Sequence, residues 1–190
     1  MLATIATAFL SFFATNVDDI FLLTIFFGQG IRPGRVVLGQ YLGFVALIVV
    51  SLSGYFMRFV IPGTWIGILG LLPIAIGLRK LWLSGQDEPG KTVPLDTSVL
   101  TVATVTFSNG GDNIGIYVPL FAASDFSRLA IIIAVFLSLL AFWCLAGYFL
   151  GNLTIVRKSI GRYGPIVVPV LLIGLGIKII LDSGTLQLLR

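Results

Sequence analysis

Residues 14–27, ATNVDDIFLLTIFF, and residues 106–121, TFSNGGDNIGIYVPLF, each set a polar cluster in the middle of a long apolar run. Both clusters read the same way. A hydroxyl residue (Thr15 or Ser108) precedes an asparagine (Asn16 or Asn109), and three positions further on comes an aspartate (Asp19 or Asp112). The two lie 93 positions apart, and the same shift carries Arg35 onto Arg128 and Gly54-Tyr55-Phe56 onto Gly147-Tyr148-Phe149. A shift of 99 then lays Gly77, Arg79, Ser84 and Gly85 on Gly176, Lys178, Ser183 and Gly184, the extra six positions reading as an insertion. An ordered set of matches that includes polar residues implies a duplicated unit.

The composition fixes the solvent around that unit. Hydrophobic residues make up 57% of the 190-residue chain and charged residues 11%, where a soluble domain carries roughly a quarter charged. Too little polar surface remains to cover a soluble fold, so the expectation is an integral membrane protein. A bilayer core needs about 20 apolar residues per helix, which predicts spans near Leu2–Phe27, Val36–Met57, Trp65–Leu83, Val99–Phe121, Leu129–Leu150 and Pro165–Leu181. The expected fold class is all-α, six transmembrane helices as two inverted three-helix repeats. Residues 1–84 are the first repeat, 85–97 a connecting loop and 98–190 the second. Three spans per unit is an odd number, so the second copy enters the membrane inverted.

Charge orients the bundle. Arg32, Arg35, Arg79, Lys80, Lys91, Arg157, Lys158 and Arg162 fall in the loops after spans one, three and five, against Arg58, Arg128, Lys178 and Arg190 opposite. The positive-inside rule then puts both termini outside the cytoplasm. No Lys or Arg precedes Arg32, so the first span lacks a signal peptide's basic flank and is expected to stay in the mature protein. The net charge of +4 reports topology, since no basic stripe with interleaved aromatics points to nucleic acid. One cysteine, Cys144, and no histidine exclude an internal disulfide and the commonest general base. A membrane enzyme is correspondingly disfavoured.

Asp18, Asp19 and Asp112 carry the functional reading. A central Asp costs roughly 2.5 to 3.5 kcal/mol on insertion scales, so three cost on the order of 8 to 10 kcal/mol before compensation. The N-x-x-D spacing puts Asn and Asp on one helix face, with Asp18 about 100° away from Asp19. Gly110-Gly111 weakens the fourth span by about 1 kcal/mol per residue, and backbone oxygens unwound at that depth are tolerated where they line a cavity. Carboxylates, amides and hydroxyls gathered from two inverted helices make a cation site. The candidate ligands are Asn16, Asp18, Asp19, Asn109, Asp112 and Asn113, with Thr15 and Ser108 as additional oxygens. Neutral aspartates in interhelical hydrogen bonds are the plainer alternative. Oxygen donors suit Ca²⁺, Mg²⁺ or Mn²⁺. The sulfur residues Met1, Met57 and Cys144 are read as lying away from this centre, and Asp87, Glu88, Asp96, Asp125 and Asp182 as solvated.

The two quoted segments and the six-span duplicated layout resemble the cadmium-resistance transporter family (CadD type) of the lysine-exporter superfamily, over essentially the whole chain. The resemblance implies export of Cd²⁺ and overlapping divalent cations across a bacterial cytoplasmic membrane, with the motifs mapping onto Asn16, Asp18, Asp19, Asn109, Asp112 and Asn113. It implies no resident cofactor. The expected partners are membrane lipid and the transported ion, without nucleic acid. Oligomeric state is left open, a homo-oligomer included. A cationic amino acid such as lysine, or Mn²⁺, Ca²⁺ or Zn²⁺ as the usual cargo, stays open beside cadmium, as does a channel.

Overall fold

The computed structural model describes residues 1–17, 19–28, 32–60, 67–83, 98–150, 170 and 173–181. Asp18, the connecting segment 85–97 and the basic residues Arg157, Lys158 and Arg162 lie outside the described residues. Among the described residues the chain is helical and holds no strand: α1 (Leu2–Asn16), α2 (Asp19–Gly28), α3 (Pro33–Met57), a 3₁₀ turn (Gly67–Gly70) leading into α4 (Leu71–Leu83), α5 (Val99–Asn109), α6 (Gly111–Ala122), α7 (Phe126–Leu150) and α8 (residues 173–181).

Local chemistry explains the starts. Pro33 opens α3, at the position where a missing N–H costs nothing. The Ser98 side chain caps α5 by accepting from the Thr101 N–H at 3.1 Å, and the Asp125 carboxylate accepts from the Arg128 N–H at 2.8 Å to open α7. Such caps satisfy donors that no helical carbonyl reaches.

The first and fourth spans expected from the sequence are each divided in two, and the divisions fall inside the polar motifs. Helix α1 ends on Asn16 and α5 on Asn109, while α2 begins at Asp19 and α6 at Gly111, beside Asp112. The 93-residue shift carries the start of α3, 33, onto 126, the start of α7. Among the described residues α3 and α7, 25 residues each, are the two helices long and apolar enough to cross a membrane unaided. Their outer faces are apolar at helical spacing. Leu38, Leu42, Val45 and Val49 on α3, and Phe142, Leu145 and Phe149 on α7, are exposed, a surface that lipid would cover.

Contacts fix the helix directions. Along α7, Phe136 and Trp143 meet Phe12, Gly147 meets Leu23 and Tyr148 meets Phe27, so α1–α2 and α7 run parallel. Along α3, Gly39 lies against Val102, Gly43 against Thr106, Leu47 against Gly110 and Gly54 against Val118, so α3 and α5–α6 are parallel too. The two broken helices run antiparallel, with Asp19 meeting Asn109, Asn16 meeting Asn113, and Thr15 meeting Tyr117. Gly70 and Gly176 pack the 3₁₀ turn on α8. A chain that alternates direction with every span produces this set of directions. One end of the bundle accordingly gathers Arg58, which donates to the Ser124 carbonyl, together with Arg128, Lys178 and the start of α1.

The core is aromatic. Phe12, Phe44, Tyr117, Phe121 and Phe136 are buried, with Tyr117 and Phe136 ring centroids 4.5 Å apart and Phe12 5.7 Å from Phe44. Such pairs add about 0.5–1.5 kcal/mol each beyond area burial, and here they lock α1, α3, α6 and α7 around the polar centre. Helix contact also dictates one glycine: a Cβ on Gly54 would sit 2.1 Å from the Val118 carbonyl oxygen, whereas one on Gly34 would meet nothing within 4 Å. Gly54→Ala is therefore expected to lower stability by about 1–3 kcal/mol through overpacking. Gly34→Ala is expected to be neutral or stabilising by up to about 1 kcal/mol. Thermal unfolding of the two variants in detergent checks this, and equal melting temperatures would contradict the α3–α6 contact.

Candidate metal centre

The polar centre lies where α1–α2 crosses α5–α6, and it divides into two hydrogen-bonded groups. The first surrounds Asp19, which is 3% exposed. Asn109 Nδ2 donates to Asp19 Oδ1 at 2.8 Å, and Gln40 Nε2 reaches Oδ2 at a long 3.5 Å. Behind it, the Thr106 hydroxyl donates to Gln40 Oε1 at 2.7 Å. A buried carboxylate needs such donors, because an unpaired charge in this environment is prohibitively costly.

The second group surrounds the Tyr117 hydroxyl, which is fully buried. Asn16 Nδ2 and Asn113 Nδ2 both donate to it, at 3.0 and 3.1 Å, and it shares a 2.9 Å hydrogen bond with Thr15 Oγ1. Asn113 Nδ2 also reaches Asn16 Oδ1 at 3.3 Å, joining the two motifs directly. The Asn16 carbonyl, at the last residue of α1, accepts from Trp143 Nε1 at 2.7 Å, so α7 anchors the break in the first helix. Among the described residues, Ser51 Oγ is the buried side-chain atom that lacks a partner. The atoms of this centre are satisfied.

The break positions matter electrostatically. Asp19 begins α2 and Asp112 lies in the first turn of α6, where a helix's positive end and unpaired N–H groups favour a carboxylate. Asp112 Oδ1 accepts from the Asn113 N–H at 3.1 Å, and its side chain is half-buried. Conversely α1 and α5 present their negative, carbonyl-bearing ends beside Asn16 and Asn109.

The structure thus brings together Asn16, Asp19, Asn109, Asn113 and Thr15, with Asp112 adjacent to Asn113. Asp18 lies outside the described residues. Ser108 is exposed, turned away from the face that carries Asn109. Among the described residues no three His, Cys, Asp or Glu side chains group closely enough to hold a metal ion, so oxygen from amides is a large share of what this centre offers. Gln40, Thr106, Tyr117 and Trp143 were missed by the reading of the sequence. Gln40 had a signal, as a lone amide inside a 25-residue apolar helix. Tyr117 and Trp143 had none, because either passes for a core aromatic. Cys144, next to Trp143 on α7, is buried.

Buried carboxylates and amides on interrupted helices, within a bundle of apolar helices, form the kind of arrangement found in membrane transport proteins. Comparison with protein families narrows this: residues 12–190 match the model described as cadmium resistance transporter, and the chain belongs to that family. No curated protein and no solved structure matches the chain.

Tyr117→Phe tests the hydroxyl's part. It removes one acceptor from each amide, while Asn16 Nδ2 keeps Phe12 O and Thr15 Oγ1 and Asn113 Nδ2 keeps Asn16 Oδ1, so the cost is that of lost hydrogen bonds, about 0.5–1.5 kcal/mol each. The expected result is a lower melting temperature with weakened Cd²⁺ binding by the solubilised protein. An unchanged melting temperature would show that the amides find other partners.

Proposed function

We propose that the protein exports a divalent metal cation, Cd²⁺ by its family membership, from an oxygen-ligand centre at the crossing of the two broken helices. The observation that carries this is the placement of both helix breaks at the same motif, once in each half. Each break offers a carbonyl-bearing helix end and, within a few residues, a carboxylate at the start of the next helix. Half-helix ends of this kind coordinate cations in transporters built from repeats. Asp19 and Asp112 supply the charge, with Asp18 between Val17 and Asp19 as a third carboxylate. Asn16, Asn109 and Asn113 supply amide oxygens.

The amides make the centre convertible. Both Asp19 oxygens now accept from amide N–H groups, and an arriving cation needs oxygen there instead. Asn109 and Gln40 each carry an oxygen on the opposite arm of the same amide. A half-turn about the terminal bond exchanges donor for acceptor. Thr106 permits that turn in Gln40, because a hydroxyl that donates to Oε1 in one orientation accepts from Nε2 in the other.

The coincident starts of α3 and α7, the breaks at equivalent motifs and the alternating helix directions support two inverted three-helix repeats, an architecture that suits alternating access. The family membership supports a bacterial cytoplasmic membrane location, and the basic-residue bias supports both termini outside.

Asp19→Asn and Asp112→Asn are each expected to abolish Cd²⁺ uptake into inverted vesicles while the protein inserts at the wild-type level. Glu88→Gln, in the connecting segment, is expected to transport normally. Binding weakens as pH falls, because protons and metal compete for the same carboxylate oxygens. Normal uptake by the Asp112 variant would remove this centre as the transport site, and lysine displacing Cd²⁺ would point to the cationic amino acid cargo.

The position of Cys144 calls for its own measurement. With oxygen ligands, Cys144→Ser leaves Cd²⁺ uptake intact, and Mn²⁺ or Ca²⁺ competes better than Cu⁺, which prefers sulfur. Loss of uptake in the serine variant together with strong Cu⁺ competition would put the thiol among the ligands.

A further inference from the structure

Helix α7 runs unbroken alongside a helix that is broken. It lies parallel to α1–α2, and its contacts fall on both sides of the interruption: Phe136 and Trp143 against Phe12 of α1, Gly147 against Leu23 of α2. Level with the break itself, the indole of Trp143 donates through Nε1 to the Asn16 carbonyl at 2.7 Å. Asn16 is the last residue of α1, and the final carbonyls of a helix have no donor within it. Trp143 supplies one from the neighbouring helix.

The indole is itself held in place. It is buried, with the Phe12 and Phe13 rings edge-on to it at 5.5 and 5.7 Å. Both rings belong to the end of α1, so the helix end and the group that fixes it position each other. The side chain of the same asparagine reaches the other way. Asn16 Nδ2 donates to the Tyr117 hydroxyl at 3.0 Å, and Asn16 Oδ1 accepts from Asn113 Nδ2 at 3.3 Å. One residue is thus gripped by α7 through its main chain and by α6 through its side chain, and Asp19 begins the next helix three positions on. The second break is closed differently. Under the 93-position shift Trp143 falls on Val50, an exposed aliphatic side chain with no donor. There the Gly110 N–H turns back to Phe107 O, and the Asn113 N–H goes to Asp112 Oδ1.

We propose that Trp143 is a positioning residue of the metal centre: its N–H fixes the end of α1, and with it the Asn16 amide and the spacing from Asn16 to Asp19, without the indole touching the ion. This rests on the proposed centre and adds a residue outside both motifs that sets its geometry. An indole presents one donor and no acceptor. Unlike the amides of the centre, it cannot turn round to become a ligand. Groups that orient metal ligands from behind govern affinity because a ligand displaced from its place binds poorly. An aromatic side chain that only filled space would serve as well without its nitrogen.

The test removes the N–H alone. A Trp65→Phe/Trp82→Phe background leaves Trp143 as the remaining tryptophan, which can be replaced biosynthetically by benzothienylalanine, with sulfur where tryptophan has its N–H. Titrated in detergent, that protein is expected to bind Cd²⁺ at least about threefold more weakly than the tryptophan form. Fluorotryptophan keeps the N–H and is expected to bind within about twofold of tryptophan. A smaller change with benzothienylalanine, or a lower melting temperature with Cd²⁺ affinity intact, makes Trp143 a packing residue and overturns the proposal. Equal weakening with fluorotryptophan overturns it too, since the donor is present there. If the benzothienylalanine protein fails to insert, Trp143→Phe, which keeps a ring against Phe12 and Phe13, is held to the same threshold. Asp19→Asn in the same titration separates this role from the centre itself. Wild-type affinity in that variant removes the metal centre, whereas lost binding there beside unchanged affinity with benzothienylalanine removes only the role of Trp143.

Discussion

A carboxylate held 3% exposed among apolar helices is tolerable only while donors meet its oxygens, and Asp19 is met from two helices at once. Asn109 comes from α5 and Gln40 from α3, each brought within reach by close backbone approach. Gly39 and Gly43 let α3 lie directly against α5, which puts Thr106 on Gln40 and Gln40 on Asp19. Much of the packing in the middle of the molecule follows from satisfying this one charge. The aromatic cluster of Phe12, Phe44, Tyr117 and Phe136 closes around it and excludes water that would otherwise do the same work.

The same constraint gives the centre a chemical ambivalence that a purely structural network would lack. Apart from the carboxylates, the groups around it are amides and hydroxyls, and each can present a donor or an acceptor by rotating a terminal bond. A buried network built from Lys and Arg would hold Asp19 as well and could never yield to a metal ion. Asn109 and Gln40, which donate to Asp19, are instead neutral amides.

The two halves are related but not equal. The starts of α3 and α7 coincide under the 93-residue shift, yet Asp19 is buried and Asp112 half-buried, and the position equivalent to Gln40 is Ile133. Asp19 reaches α3 and α5 through Gln40 and Asn109, and Asp112 Oδ1 accepts from the Asn113 N–H in the first turn of its own helix.

The membrane class and the family were legible in the chain itself, and the duplication and the candidate ligands were read there as expectations. Hydropathy, spacing and the cost of a charge in lipid are local properties, and ATNVDDIFLLTIFF and TFSNGGDNIGIYVPLF carry them without reference to any neighbour. Gly110-Gly111 likewise marked where the fourth span would part, because glycine weakens a helix wherever it stands. The tertiary structure decided what depends on contact. It selected Gln40 and Tyr117 as partners of the two motifs and turned Ser108 outward although its equivalent Thr15 faces in. Periodicity says which residues share a helix face. Which face meets which is set by how glycine grooves and aromatic side chains let the helices pack.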